Sequence, residues 1–281
     1  MLEAYQTHNA ISPPQEAVLH SASIIPTNRA RDNRLPASYA YDIEHARNTS
    51  TILSSLPLTD ELQLLGWLAM STTIPVPKLT SHGWSDARQR HFATFDPPRG
   101  RQLVDCWEDL TKEARTRTVG DLRAAMRELR SITEAQLPNL GTRDAFLDRR
   151  DGVAAGPYAT QSEFLAAVAR RVDAIGSIYN PGPTRKALGF IDALELVAVD
   201  KKLVFTHGNL NPDNIWVDES GKVTAIMDWS QAGYAPAFWE YIKACLDDDD
   251  SDVQLDGFYD RILEPWPMHL AVMMHVHDII W

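Results

Sequence analysis

"HGNLNPDNIWVDESGKVTAIMDWSQAGY", residues 207–234, decides how this chain is read. The runs "LVFT" (203–206) and "NIWVD" (214–218) read as strands on either side of the loop HGNLNPDN, and "ESGK" turns the second into "VTAIMD" (223–228). The loop carries His207, Asn209 and Asn214, and Asp228 lies across the hairpin. A loop with His, an acid, a further Asn and then a distant Asp suits magnesium and a phosphorylated donor. Asn and Asp supply hard oxygen ligands, and the earlier acid accepts the proton of an attacking hydroxyl. In this chain an amide, Asn209, stands where such an acid would be.

Composition narrows the setting. With 281 residues and 44% hydrophobic side chains, one large domain or two lobes can be packed. The net charge of -11 argues against a nucleic-acid footprint and against attraction to anionic membranes, so a small molecule is the expected partner. Cys106 and Cys245 are far apart and lack neighbours at metal-ligand spacing, which points to a reducing, cytoplasmic setting. The N-terminus shows no export signal, and no long apolar window marks a membrane span.

The first fifty or so residues, rich in Ser, Pro, Asn and Arg, read as an irregular arm. "DELQLLGWLAM" has helical leucine spacing, "STTIPVPKL" ends that helix, and "RHFATF" reads as a strand before the turn "DPPRG". Val119, Leu122, Met126 and Leu129 mark one amphipathic helix; Phe164, Val168, Val172 and Ile175 mark another, with Thr160 and Glu163 at capping-box spacing. "AFWEYIKACL" is helical, "DDDDSD" is an acidic linker, and the segment holding His269, His275 and His277 reads as an apolar helix rather than a metal site.

Residues 207–244 resemble the aminoglycoside phosphotransferase and choline kinase family, especially its fungal small-molecule branch. The resemblance runs from about Ile74 to Trp281: "TTIPVPKL" is similar to the segment after the family's first helix, "GRQLVDCWEDL" to that after its hinge, and "MDWSQAGY" to its metal-binding loop. It implies an α+β, protein-kinase-like fold of two lobes. Residues 1–96 form an N-lobe with a reduced sheet and an irregular arm, and residues 97–281 a mainly helical C-lobe carrying a degenerate catalytic loop. By the same resemblance Asn214 and Asp228 match the magnesium ligands, His207 the histidine that buttresses the loop, and Asn209 the catalytic aspartate. An amide is a far poorer proton acceptor than a carboxylate, although it still orients a hydroxyl. Family members also hold the ATP phosphates with a lysine ahead of the first helix, paired with a glutamate like Glu61, and usually cover the nucleotide with a glycine-containing loop. Here the first lysine is Lys78 and the first glycine Gly66, and Arg47 is the nearest cation.

Three readings stay open. One is a kinase of a small hydroxylated or amino compound, using ATP and magnesium on Asn214 and Asp228, with Asn209 as an orienting group. Another is a pseudokinase that binds a metabolite or a protein. The third, preferred, is an ATP-independent enzyme of fungal-type secondary metabolism, catalysing cyclisation, isomerisation or a pericyclic step with no cofactor. Asn209 and Asp228 would then be catalytic, and Asn214, His207 and Trp229 would bind substrate, although Trp229, Trp239 and Tyr241 also read as core.

Overall fold

The computed structural model describes residues 41–46, 49–54, 58–137, 158–179, 181–197, 202–248 and 257–280. The N-terminal part is a four-stranded antiparallel sheet with one helix. Strands β1 (Tyr41–Ala46), β2 (Thr49–Ser54), β3 (Leu79–Ser85) and β4 (Arg90–Phe95) lie in the order β1-β2-β4-β3. This corrects the irregular arm: residues 41–46 and 49–54 are strands, while residues 1–40 lie outside the described part. The sequence YDIEHA alternates but holds few strongly apolar residues, so local composition understates it. Pairing supplies the rest, since β2 sets Ile52 opposite Ala93 of β4, both buried.

Helix α1 (Thr59–Ser71) buries Leu64, Leu65 and Leu68, each worth about 2 kcal/mol of transfer free energy, and Glu61 is buried on the same helix. It ends at Thr72, whose hydroxyl donates to Leu68 O at 2.7 Å, just ahead of Pro75 and Pro77, which cannot continue a helix.

The remaining chain is mainly helical, with two small sheets. Strand β5 (Arg101–Gln102) leads into α2 (Leu103–Cys106), followed by α3 (Lys112–Arg130), α4 (Gln161–Tyr179) and α5 (Pro181–Val197). After β6 (Leu203–Thr206), β7 (Ile215–Val217), β8 (Val223–Ile226) and β9 (Gly233–Pro236) come α6 (Trp239–Asp248), α7 (Phe258–Ile262) and α8 (Pro267–Ile280). Thr111 caps α3 by accepting the Ala114 N–H at 3.1 Å, and Leu122, Met126 and Leu129 face the core. At α4, Thr160 accepts the Glu163 N–H at 3.2 Å while the Glu163 carboxylate reaches back to the Ala159 N–H at 2.8 Å, one residue short of a reciprocal box. Helices α4, α5 and α8 pack together, and the Phe164 ring meets Trp239 of α6 edge-on at 5.1 Å.

The strands flanking the quoted loop do not pair with each other. β6 pairs antiparallel with β9, Thr206 opposite Gly233, whereas β7 pairs with β5 and β8. The whole loop and hairpin thus hang between two paired strands. No described helix is long and apolar enough to cross a membrane. The acidic linker falls mostly on residues 249–256, outside the described part.

Candidate active site

Strand β6 ends at the turn His207-Gly208. Gly208 has φ +76°, and a Cβ there would overlap Gln231 O, so only glycine fits without strain. Both residues give their backbone N–H groups to Glu240 in the first turn of α6: His207 at 2.6 Å, Gly208 at 3.1 and 3.2 Å to the two oxygens. Glu240 is 1% exposed. Burial pushes its carboxyl above the usual range, while the N–H groups of Gly208 and His207 act in the opposite direction.

His207 is fully buried. Its Nδ1 accepts the Asn209 N–H at 3.2 Å, which leaves the proton on Nε2, donated to Met227 O at 2.9 Å. The ring packs edge-on against Trp229 at 4.6 Å, and the Trp229 indole N–H donates to Ile226 O at 2.8 Å. Burial lowers the His207 pKa to about 4, against the upward pull of the Asp228 charge and the Met227 carbonyl. The imidazole is therefore a neutral brace with both nitrogens occupied.

Asn209 is 3% exposed and joins the loop to the hairpin. Its amide Nδ2 donates to Asp228 Oδ2 at 2.6 Å, its Oδ1 accepts from Asn211 Nδ2 at 3.1 Å, and its main-chain O accepts from Asn214 Nδ2 at 2.9 Å. Asn211 caps the short turn Pro212–Asn214 by accepting the Asn214 N–H at 3.1 Å. Asp228 is held in the left-handed region, φ +57°, with Oδ1 accepting the Ser230 N–H at 3.3 Å. Outside the loop, Gln102 Nε2 donates to Asp213 O at 2.7 Å and Ile226 N–H to Pro75 O at 2.7 Å, which ties the hairpin to the segment after α1.

The structure thus brings together all five residues singled out from the sequence: His207, Asn209, Asn214, Asp228 and Trp229. Two further residues support the loop. Asn211 ahead of Pro212 is a legible cap signal, but Glu240 has no local sign, being an acid in the first turn of an ordinary amphipathic helix.

Magnesium fits the oxygens present. Asn214 Oδ1 is buried without a hydrogen-bond partner, and Asp228 offers a carboxylate, the ligand types this ion takes. The lysine and glycine that the resemblance leads one to expect ahead of α1 are not in the sequence. No lysine precedes Lys78 and no glycine precedes Gly66 in the sequence, and Lys78 itself is exposed and paired with Asp96 at 3.2 Å. Arg47 lies outside the described residues. On α8, His269 is buried against Phe238 and Trp266, with ring centroids at 4.5 and 4.9 Å. Among the described residues no group of three His, Cys, Asp or Glu side chains is placed to hold a metal.

Comparison with known proteins agrees with this architecture. No curated protein sequence matches the chain. Among solved structures, the GDP complex of wild-type aminoglycoside 2'-phosphotransferase-IIIa is similar at a TM-score of 0.61 and 14% identity, covering 88% of this chain and 81% of that one. ADP-bound aminoglycoside phosphotransferase APH(2'')-Ib is similar at 0.58 and 12% identity, covering 85% and 77%. The streptomycin–ATP–APH(2'')-IIa ternary complex is similar at 0.54 and 13%, also covering 85% and 77%. At such identities the likeness is one of fold, the two-lobed, kinase-like α+β arrangement expected from the loop. The sequence pattern of the phosphotransferase enzyme family matches residues 49–269, most of the chain, and the chain belongs to that family.

Proposed function

We propose that the protein acts on a small organic molecule without transferring phosphate, holding it beside the 207–214 loop for a cyclisation, isomerisation or pericyclic step. The observation that carries this reading is the 2.6 Å hydrogen bond from Asn209 Nδ2 to Asp228 Oδ2. Asn209 satisfies an oxygen that a phosphotransferase loop would leave for a cation, and it supplies no base. The absence of lysine and glycine ahead of Gly66 points the same way. The small-molecule class of substrate is carried over from the family.

In this reading the second amide N–H of Asn209 polarises a substrate carbonyl or ether oxygen. Asn214 Oδ1, buried and unpartnered, accepts a substrate hydroxyl or N–H, and Asp228 Oδ1 accepts another beside the Ser230 N–H it already holds. His207 and Trp229, both fully buried, hold the loop rather than touch the ligand. Positioning of this kind accelerates a unimolecular rearrangement by selecting its reactive conformer.

The unpartnered Asn214 Oδ1 also favours a second reading, a magnesium-dependent phosphotransferase in which Asn214 and Asp228 hold the ion. Bound there, magnesium would neutralise phosphate charge. One experiment separates the two: incubate the protein with the intermediates made by enzymes of neighbouring genes, with and without magnesium and ATP, and follow mass. Isomerisation predicts a product of unchanged mass formed without ATP, slowed about tenfold to a hundredfold in Asn209→Ala. A product heavier by one phosphoryl group, formed only with ATP, overturns the proposal, and binding without conversion leaves a pseudokinase.

A further inference from the structure

Away from the loop, α3 and the C-terminal end of α7 border an open pocket of about 340 Å³. Arg123, Arg127 and Arg130 line it with Met126, Ile262 and Leu263, and a single acid, Glu264, completes it. In a chain of net charge -11, three guanidinium groups against one carboxylate are a local reversal of sign. The arginines recur at helical spacing on α3, beside the core-facing Met126, so one stripe of the helix is both cationic and apolar.

Two of these arginines are braced. Arg123 Nε donates to Arg261 O at 2.6 Å, and Arg130 Nη2 donates to Ala237 O at 3.0 Å. Each bond fixes a guanidinium plane and leaves other N–H donors unused. Arg127 makes no hydrogen bond or ion pair with any described residue, and no ion pair joins Glu264 to the three arginines. The apolar part of the lining is deeply set, with Met126, Ile262 and Leu263 all buried. The volume sits at the low end of small-molecule pockets, which run from about 300 to 1,000 Å³.

We propose that this cavity binds a small amphiphilic oxyanion, a carboxylate or phosphate monoester carried on a short aliphatic or aromatic body. The anion takes the planar donors of Arg127 and its two braced neighbours, an arrangement suited to two-point recognition of carboxylate or phosphate. The body lies along the aliphatic stems of the arginines and the margin that Met126, Ile262 and Leu263 leave open at the pocket floor. A bare inorganic anion makes only the first set of contacts, and a neutral apolar molecule only the second. The site is independent of the chemistry proposed for the loop.

The test is isothermal titration of the full chain with phenyl phosphate, hexanoate, inorganic phosphate and hexanol. Arg127→Gln serves as the variant, since Arg127 is exposed and its removal breaks no bond to a described residue. Saturable binding of phenyl phosphate, hexanoate or both is expected, weakened by added salt and at least about tenfold weaker in Arg127→Gln. Which of the two binds more tightly identifies the oxyanion. Thermal melts of wild type and variant should coincide. No binding of either amphiphile to wild type, equal affinity in Arg127→Gln, or binding of inorganic phosphate or hexanol as tight as that of the amphiphiles overturns the proposal.

Discussion

Glu240 accepts the backbone N–H of His207 at 2.6 Å, so a buried carboxylate from α6 anchors the point where the loop leaves β6. Gly208 donates to the same group. Glu240→Ala would strand both buried donors, at about 1–3 kcal/mol each. Urea unfolding of the variant measures the loss; a change within about 0.5 kcal/mol, the range of an ordinary surface substitution, would contradict the anchoring role.

His207 makes the protein acid-sensitive. Well above pH 6.5 the imidazole is neutral whether the chain is folded or not. As pH falls through 6.5 the unfolded chain takes up a proton that the folded site, with its pKa near 4, refuses, so stability declines down to about pH 4. The total is on the order of 3 kcal/mol. Glu240 has the opposite slope: between pH 4.5 and its raised folded value the unfolded chain ionises first, so stability declines as pH rises. Comparing wild type with His207→Asn by denaturant unfolding between pH 7 and pH 4 isolates the histidine. The variant should show the shallower loss on acidification.

Asn209→Asp should convert a closed network into a cation site. The 2.6 Å donor–acceptor contact with Asp228 Oδ2 becomes a meeting of two carboxylates, with Asn214 Oδ1 nearby in the loop still unpartnered. The variant should lose about 2 kcal/mol in EDTA, through loss of a hydrogen bond to a charged group, and regain stability with magnesium. Wild type should respond much less to the ion. Thermal melts with and without magnesium measure both, and equal responses would rule the effect out.

Gly208→Ala combines a left-handed φ of +76° with a Cβ overlapping Gln231 O. Backbone strain alone costs about 1–2 kcal/mol, and the overlap adds to it, so a loss of at least about 2 kcal/mol is expected by urea unfolding. A smaller loss would mean that the Gln231 carbonyl moves freely.

The sequence revealed the site more fully than the frame around it. His207, Asn209, Asn214 and Asp228 lie in two short segments whose turn residues and strand-like flanks are local, and the structure brings the four together through β7 and β8. Helices α3 and α4 were legible because their apolar residues repeat with the helical period over nineteen residues. Strand β1 was not, because its six residues draw their order from the neighbouring strand. The pairing of β6 with β9 was equally hidden: strand character is local, whereas the choice of partner depends on how the intervening hairpin folds back.

That pairing also governs local opening. With Thr206 opposite Gly233, the chain from His207 to Ala232 is pinned at both ends, and Glu240 and Pro75 hold it from the C-terminal helix and from the segment after α1. Its amides cannot open one by one without first releasing that clasp. In native-state hydrogen exchange the backbone N–H groups of His207, Gly208, Asn214 and Met227 should therefore exchange as one cooperative unit with those of β6, at a common opening free energy well above that of the exposed β3 edge.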